Sequence, residues 1–263
     1  MTWLTSLPAA MLVIGGLALA LLVALGGRLA VRALVPVTER DAAYAIAAPL
    51  MPALGALFAL FMGLTLANEA SFLAAAQGIV SNESADASRL AWAATSPGVN
   101  SAPIQSALLG YLRATRTYEW HGSSAAQGGD PATAHAIASL EIAVRTQAAR
   151  PALGTPASTE LLASLDALTN DRRARLAAAS HQLPVLYVIV LVLSGAALIV
   201  NATVLTLRSG RRSAVLVSGL AAVIALSLAL LFALGTPWRG PITVSGQPID
   251  AVVQDLGIGY FHF

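Results

Sequence analysis

The chain has 263 residues, of which 57% are hydrophobic and only 11% charged, far from the roughly 25% charged content of a soluble globular domain. All fifteen basic residues are arginines, scattered along a chain with thirteen acids and a formal net charge of +2, so no basic patch of the kind that grips nucleic acid is present. With no cysteine, disulfides, thiolate catalysis and cysteine metal sites are excluded.

The apolar residues gather into four stretches, two before and two after a polar, alanine-rich middle. This pattern predicts an all-α, polytopic membrane protein with four transmembrane helices and a helical domain between helices 2 and 3. The expected division is 1–67 for a first transmembrane pair with a basic connector and 68–183 for the helical domain. A second transmembrane hairpin over 184–235 and a tail over 236–263 complete it.

The first span, Pro8 to Gly27, has about the 20 residues needed to cross the hydrocarbon core. Nothing basic precedes it, and Arg28 and Arg32 follow it, the reverse of a signal peptide's charge order, so a retained span is expected. The second span covers Ala42 to Ala67, with Pro49 and Pro52 placed to bend its start. Pro184 to Leu207 and Ser213 to Leu234 form the third and fourth. Arg208, Arg211 and Arg212 fill the turn between them, which predicts an antiparallel hairpin. The arginines of this turn and of the first connector place both connectors in the cytoplasm of a cell whose plasma (inner) membrane holds the protein. The central block is then extracytoplasmic, although Arg172, Arg173 and Arg175 lie on that side.

Within the central block, Leu108, Tyr111, Leu112, Thr115 and Tyr118 follow Ile104 at helical spacing. Asp130 before Pro131 reads as a helix cap, and Thr155 before Pro156 as another. The helices they open present Ile137, Leu140 and Val144, then Leu161, Leu165 and Leu168. Asp171 and Arg175, four apart, are expected to pair on an exposed face. Ser96 to Pro103 and Gly122 to Gly129 read as linkers, and Ile242 to Val244 as a short strand. In the tail, Ile249, Val252, Val253 and Leu256 share a helical face, and the terminal aromatics suit a membrane interface; the alternative is that the tail covers the helical block.

The chain carries no phosphate loop, nucleophile elbow or metal-ligand spacing among His121, His135, His181 and His262, so no enzyme, cofactor or metal is expected. The second span is more informative. Gly55, Ala59 and Gly63 form a small-residue stripe suited to close helix packing, most simply within one subunit. On another face, Phe58, Phe61, Thr65 and Asn68, leading to Phe72, are candidate pore or gate residues, with rings able to form a dewetting constriction. The plainer alternative is that these rings meet lipid or the fourth span. Glu69 lies beside that face, where its carboxylate would bias ion selection or pair with an arginine. Asn201, inside the third span, needs a partner helix for its amide.

Several landmarks occur in order: Glu69-Ala70, Tyr111, Glu119-Trp120, Arg172-Arg173, Arg175-Leu176, Leu183-Pro184, and Pro237-Trp238-Arg239-Gly240 followed by Val244. Together they resemble the bestrophin-like membrane domain family, a domain of unknown function, from about Ala42 to the C-terminus. The chain departs from the family in lacking a His-Asn pair in the first connector and an acid before Pro237. The resemblance implies structural roles for Tyr111, Glu119, Trp120, Arg172, Arg173, Pro184, Pro237, Arg239 and Gly240. By comparison with bestrophins, it also implies a homo-oligomeric ion channel, selective for anions, in the lipid bilayer. No acidic cluster resembles a calcium clasp. The alternative function is a non-conducting membrane scaffold or sensor whose helical domain binds a partner around Tyr111, Glu119 and Trp120.

Overall fold

The structure is a computed structural model that describes residues 9–120, 128–151, 153–181, 183–206, 211–235, 237–238 and 242–261. Eight α-helices follow in order among these residues: α1 Ala9–Leu34, α2 Arg40–Ala93, α3 Ser101–Ala114, α4 Pro131–Ala148, α5 Thr155–Ala179, α6 Val185–Leu205, α7 Arg211–Leu234 and α8 Gln247–Gly257. A short 3-10 turn, Val37–Glu39, precedes α2, and a π-helical turn, Thr115–Glu119, extends α3. No strand occurs among the described residues. The expected strand at Ile242 to Val244 is instead an irregular segment whose Val244 amide donates to the Pro237 carbonyl at 2.8 Å.

Three helices among the described residues are long and apolar enough to cross a membrane: Val37–Ala93, Val185–Leu205 and Val215–Leu234. Leu21–Val31, within α1, is a shorter apolar stretch. The chain forms two compact units. The first holds α1, α2 as far as Ser71, α6 and α7; the second holds α2 from Phe72 onward, α3, α4, α5 and α8.

In the membrane unit, Phe58, Met62, Leu191, Leu198, Ile199 and Ile224 form the core. Gly195 permits this contact: a Cβ there would lie 3.0 Å from Ile224 and 3.3 Å from the Phe58 ring. Pro49 and Pro52 lie inside α2, where each removes a backbone donor and loosens the helix. Just ahead of both prolines, Asn201 Nδ2 donates to the Ala47 carbonyl at 3.0 Å. A buried amide and an α2 carbonyl thus satisfy each other where the bilayer offers no water.

The helical block has its own core, with Ala76, Val80 and Leu90 of α2 facing Ile104, Leu108 and Leu112 of α3, Leu140 and Val144 of α4, and Leu161, Leu165 and Leu168 of α5. Asp130 caps α4 through a 2.8 Å bond accepted from the Ala132 amide, with Pro131 in the first turn. At α5 the cap is Gly154, without a side-chain bond, and Thr155 lies inside the helix.

The tail packs into this block. Ile249, Val252 and Phe261 are buried in its core, and Ser84 Oγ donates to the Pro248 carbonyl at 2.8 Å. An amphipathic helix as short as α8 needs such an apolar surface to be stable.

Candidate functional site

The helical block encloses a charged cluster built from three helices. On α2, Glu83 occupies a position that Val80 before it and Ala87 after it mark as core-facing, and all three are fully buried. On α5, Arg175 continues the buried row of Leu161, Leu165 and Leu168. Neither charge can reach water, so each requires the other. Arg175 Nε donates to Glu83 Oε2 at 2.6 Å, and its Nη2 donates to Glu119 Oε2 at 2.9 Å. The expected exposed pairing of Arg175 with Asp171 is therefore not found, because the α5 face that carries Arg175 turns inward.

The π-helical turn delivers the third member. It carries the chain from Tyr111 on α3 to Glu119 and Trp120, all buried. π-turns of this kind are locally unfavourable and recur where a side chain must be re-aimed. Glu119 Oε1 accepts from Arg172 Nη2 at 2.5 Å and from the Asp130 amide at 3.0 Å. The Tyr111 hydroxyl donates a short hydrogen bond to Glu83 Oε1. Trp120 lies beneath two guanidinium groups, 4.6 Å from Arg116 and 5.9 Å from Arg175. Arg116 also grips Asp250 of α8 in a bidentate pair at 2.6 and 2.9 Å.

The electrostatics follow from this packing. Burial works against the charged Arg175 guanidinium, but the charge and hydrogen bond of Glu83, with the charge of Glu119, outweigh it and raise its pKa. Burial also pushes the Glu119 carboxyl up, and Arg172, the Asp130 amide and Arg175 more than reverse this, leaving it below the ordinary range. Burial, then the Glu83 charge, pushes the Tyr111 phenol well up, so it stays a donor. Next to the cluster, burial and a hydrogen bond with Asp86 push the Asp171 carboxyl up to about 6. No group of three or more His or acidic side chains among the described residues is placed to hold a metal ion.

Buried ion pairs of this sort contribute little net stability, since desolvation offsets attraction, but they penalise every arrangement that separates the partners. The cluster fixes the register of α2, α3 and α5. Tyr111, Glu119 and Trp120 are buried, each against Arg175 or its partner Glu83, and so brace the inside of the block. Arg173 is exposed and bonds Asn170 at 3.2 Å, and Pro184 begins α6. Pro237 accepts the Val244 amide. Arg239 and Gly240 lie outside the described residues.

The second set of expected site residues, on α2 in the membrane unit, is divided by the structure. Phe58 and Glu69 are buried, whereas Phe61 and Asn68 are exposed. Thr65, half-buried, donates its hydroxyl to the Phe61 carbonyl at 2.7 Å. Leu57, Phe61, Leu64 and Asn68 share the outward face, at helical spacing. Among the described residues, nothing lies within 4 Å of a Cβ built on Gly55 or Gly63; Gly55 is half-buried and Gly63 exposed.

Sequence reading missed Glu83 and the Arg116–Asp250 pair. The signal for Glu83 was available: a lone carboxylate at a core position of an apolar row, matched by a lone arginine in the corresponding row on α5.

Long apolar helices able to span a membrane, in a chain that also carries a helical block braced inside by buried charge, define an integral membrane protein. The chain belongs to the bestrophin-like family: the family's Bestrophin-like domain matches residues 18–249. No curated protein and no solved structure matches the chain.

Proposed function

We propose that the protein is one subunit of a homo-oligomeric, anion-conducting channel in the plasma (inner) membrane, with the α2 membrane segment at the subunit interface and pore. The observation that carries this reading is the outward face of α2, where exposed Leu57, Phe61 and Leu64 lead to exposed Asn68. An amide at the end of an apolar, membrane-spanning face needs water or another polar group, and a pore or a neighbouring subunit supplies either. Exposed Gly63, with half-buried Gly55 before it on the same small-residue stripe, adds a close-approach surface for a second copy. In this reading Phe61 takes the constricting role, since Phe58 is packed inside the subunit.

α1 supplies the fourth span. The two arginine-bearing connectors face the cytoplasm, by the positive-inside rule, and the helical block is extracytoplasmic.

The test is current through planar bilayers containing the purified, full-length protein under an asymmetric chloride gradient. Discrete conductance is expected, with a reversal potential near that of chloride. Asn68→Asp, which adds a ring of negative charge to an oligomer, is expected to shift that potential toward cations. Silence from folded, oligomeric protein across voltage and pH would overturn the channel and favour the non-conducting scaffold or sensor.

A further inference from the structure

A cavity of about 220 Å³ in the membrane unit lies between α1, the C-terminal end of α6 and the N-terminal part of α7. Its wall is apolar where Leu21, Leu25 and Val217 contribute, and polar where Arg28, Thr206 and Ser218 contribute. Arg28 is half-buried at this cavity and forms no ion pair among the described residues. The planar guanidinium in such a place takes an oxyanion with two oxygens to offer, such as a phosphodiester, more readily than an isolated water. Thr206 gives its hydroxyl proton to the Thr203 carbonyl at 3.0 Å, which leaves its oxygen as an acceptor. A ligand reaching it must therefore bring its own donor.

The location restricts the ligand further. The polar lining residues Arg28, Thr206 and Ser218 lie toward the two arginine-bearing connectors, and Leu21 and Leu25 extend the wall along the middle of α1. This end of a membrane protein meets the anionic lipid headgroups of one leaflet.

We propose that the cavity is a binding site for an anionic glycerophospholipid with a hydroxyl-bearing headgroup, of the phosphatidylglycerol type. The phosphodiester pairs with Arg28, a headgroup hydroxyl donates to Thr206 or Ser218, and the first part of an acyl chain lies against Leu21, Leu25 and Val217. The site needs only the membrane unit and is independent of whether the protein conducts.

Full-length protein, stripped of lipid in neutral detergent, is titrated with phosphatidylglycerol, phosphatidylethanolamine, phosphatidylcholine or inorganic phosphate. Thermal stabilisation and lipid retention in native mass spectrometry are read together. Phosphatidylglycerol is expected to bind at least tenfold more tightly than the two zwitterionic lipids, and inorganic phosphate to give no shift. Arg28→Gln should remove the headgroup preference, and Arg28→Lys should restore part of it. Equal binding of all three lipids by the wild-type protein would overturn the proposal. So would stabilisation by inorganic phosphate alone, which indicates a soluble-anion site, or an Arg28→Gln protein that keeps the full preference.

Discussion

Arg175 and Glu83, 92 residues apart in sequence, meet through a 2.6 Å bond from Nε to Oε2, and both side chains are fully buried. A register shift between α2 and α5 would leave two unpaired charges in an apolar core. Removing one partner is therefore far worse than removing both. Arg175→Met and Glu83→Gln are each expected to destabilise the protein by about 3–5 kcal/mol, while the double variant recovers much of that loss. Thermal unfolding of the purified protein measures it, and simple additivity of the two losses would refute the coupling.

Gly128 and Gly129 both adopt positive φ, 93° and 108°, but only Gly129 is crowded. A Cβ on Gly129 would lie 2.8 Å from Glu119 Oε1 and 3.1 Å from Arg172 Nη2, whereas one on Gly128 meets nothing within 4 Å. Gly128→Ala should cost about 1 kcal/mol of backbone strain. Gly129→Ala should cost more, because it also displaces the Glu119–Arg172 pair. Equal melting points for the two variants would contradict this geometry.

Asp171 gives the block a pH dependence of definite sign. Its folded-state pKa of about 6 lies above the ordinary 3.8, so between these values the folded state holds a proton that the unfolded state releases. Stability from this group is full at the acid end and is lost as pH rises through about 6. Asp171→Asn should flatten the dependence and be the more stable protein at pH 7 to 8. Melting curves measured from pH 4 to 8 decide the matter: parallel profiles for the two proteins would rule the effect out.

Phe58 and Phe61, three residues apart on α2, should behave oppositely. Phe58 is buried against Gly195, so Phe58→Ala should lower stability by about 3–5 kcal/mol. Phe61 is exposed, and Phe61→Ala should leave stability within about 0.5 kcal/mol while raising single-channel conductance. A Phe61→Ala protein with unchanged conductance would remove this ring from the pore.

The absence of native cysteine makes topology directly measurable. Ala138, exposed on α4, is expected to be labelled from outside intact cells by an impermeant maleimide as Ala138→Cys. Labelling only after permeabilisation would place the block in the cytoplasm.

Much of the helical block was legible in the sequence. Asp130 with Pro131 marked the start of α4, and the leucine rows marked the inner faces of α4 and α5, because capping and periodicity are local properties of the chain. The behaviour of Arg175 was not legible from its neighbours. Asp171 stands one turn away and looks like its partner, but the face that carries Arg175 turns inward, where only Glu83 and Glu119 can reach it.

Composition and spacing by themselves determined that this is an all-α membrane protein with a helical domain between apolar pairs, since an unbroken apolar run of about 20 residues satisfies its backbone in hydrocarbon only as a helix. Only the tertiary structure decided which charges are buried together. It also decided that Phe58 faces inward while Phe61 faces outward, and that the tail joins the core of the block. Each of these depends on which surface of one helix meets another, and that choice is made by contacts between residues far apart in the chain.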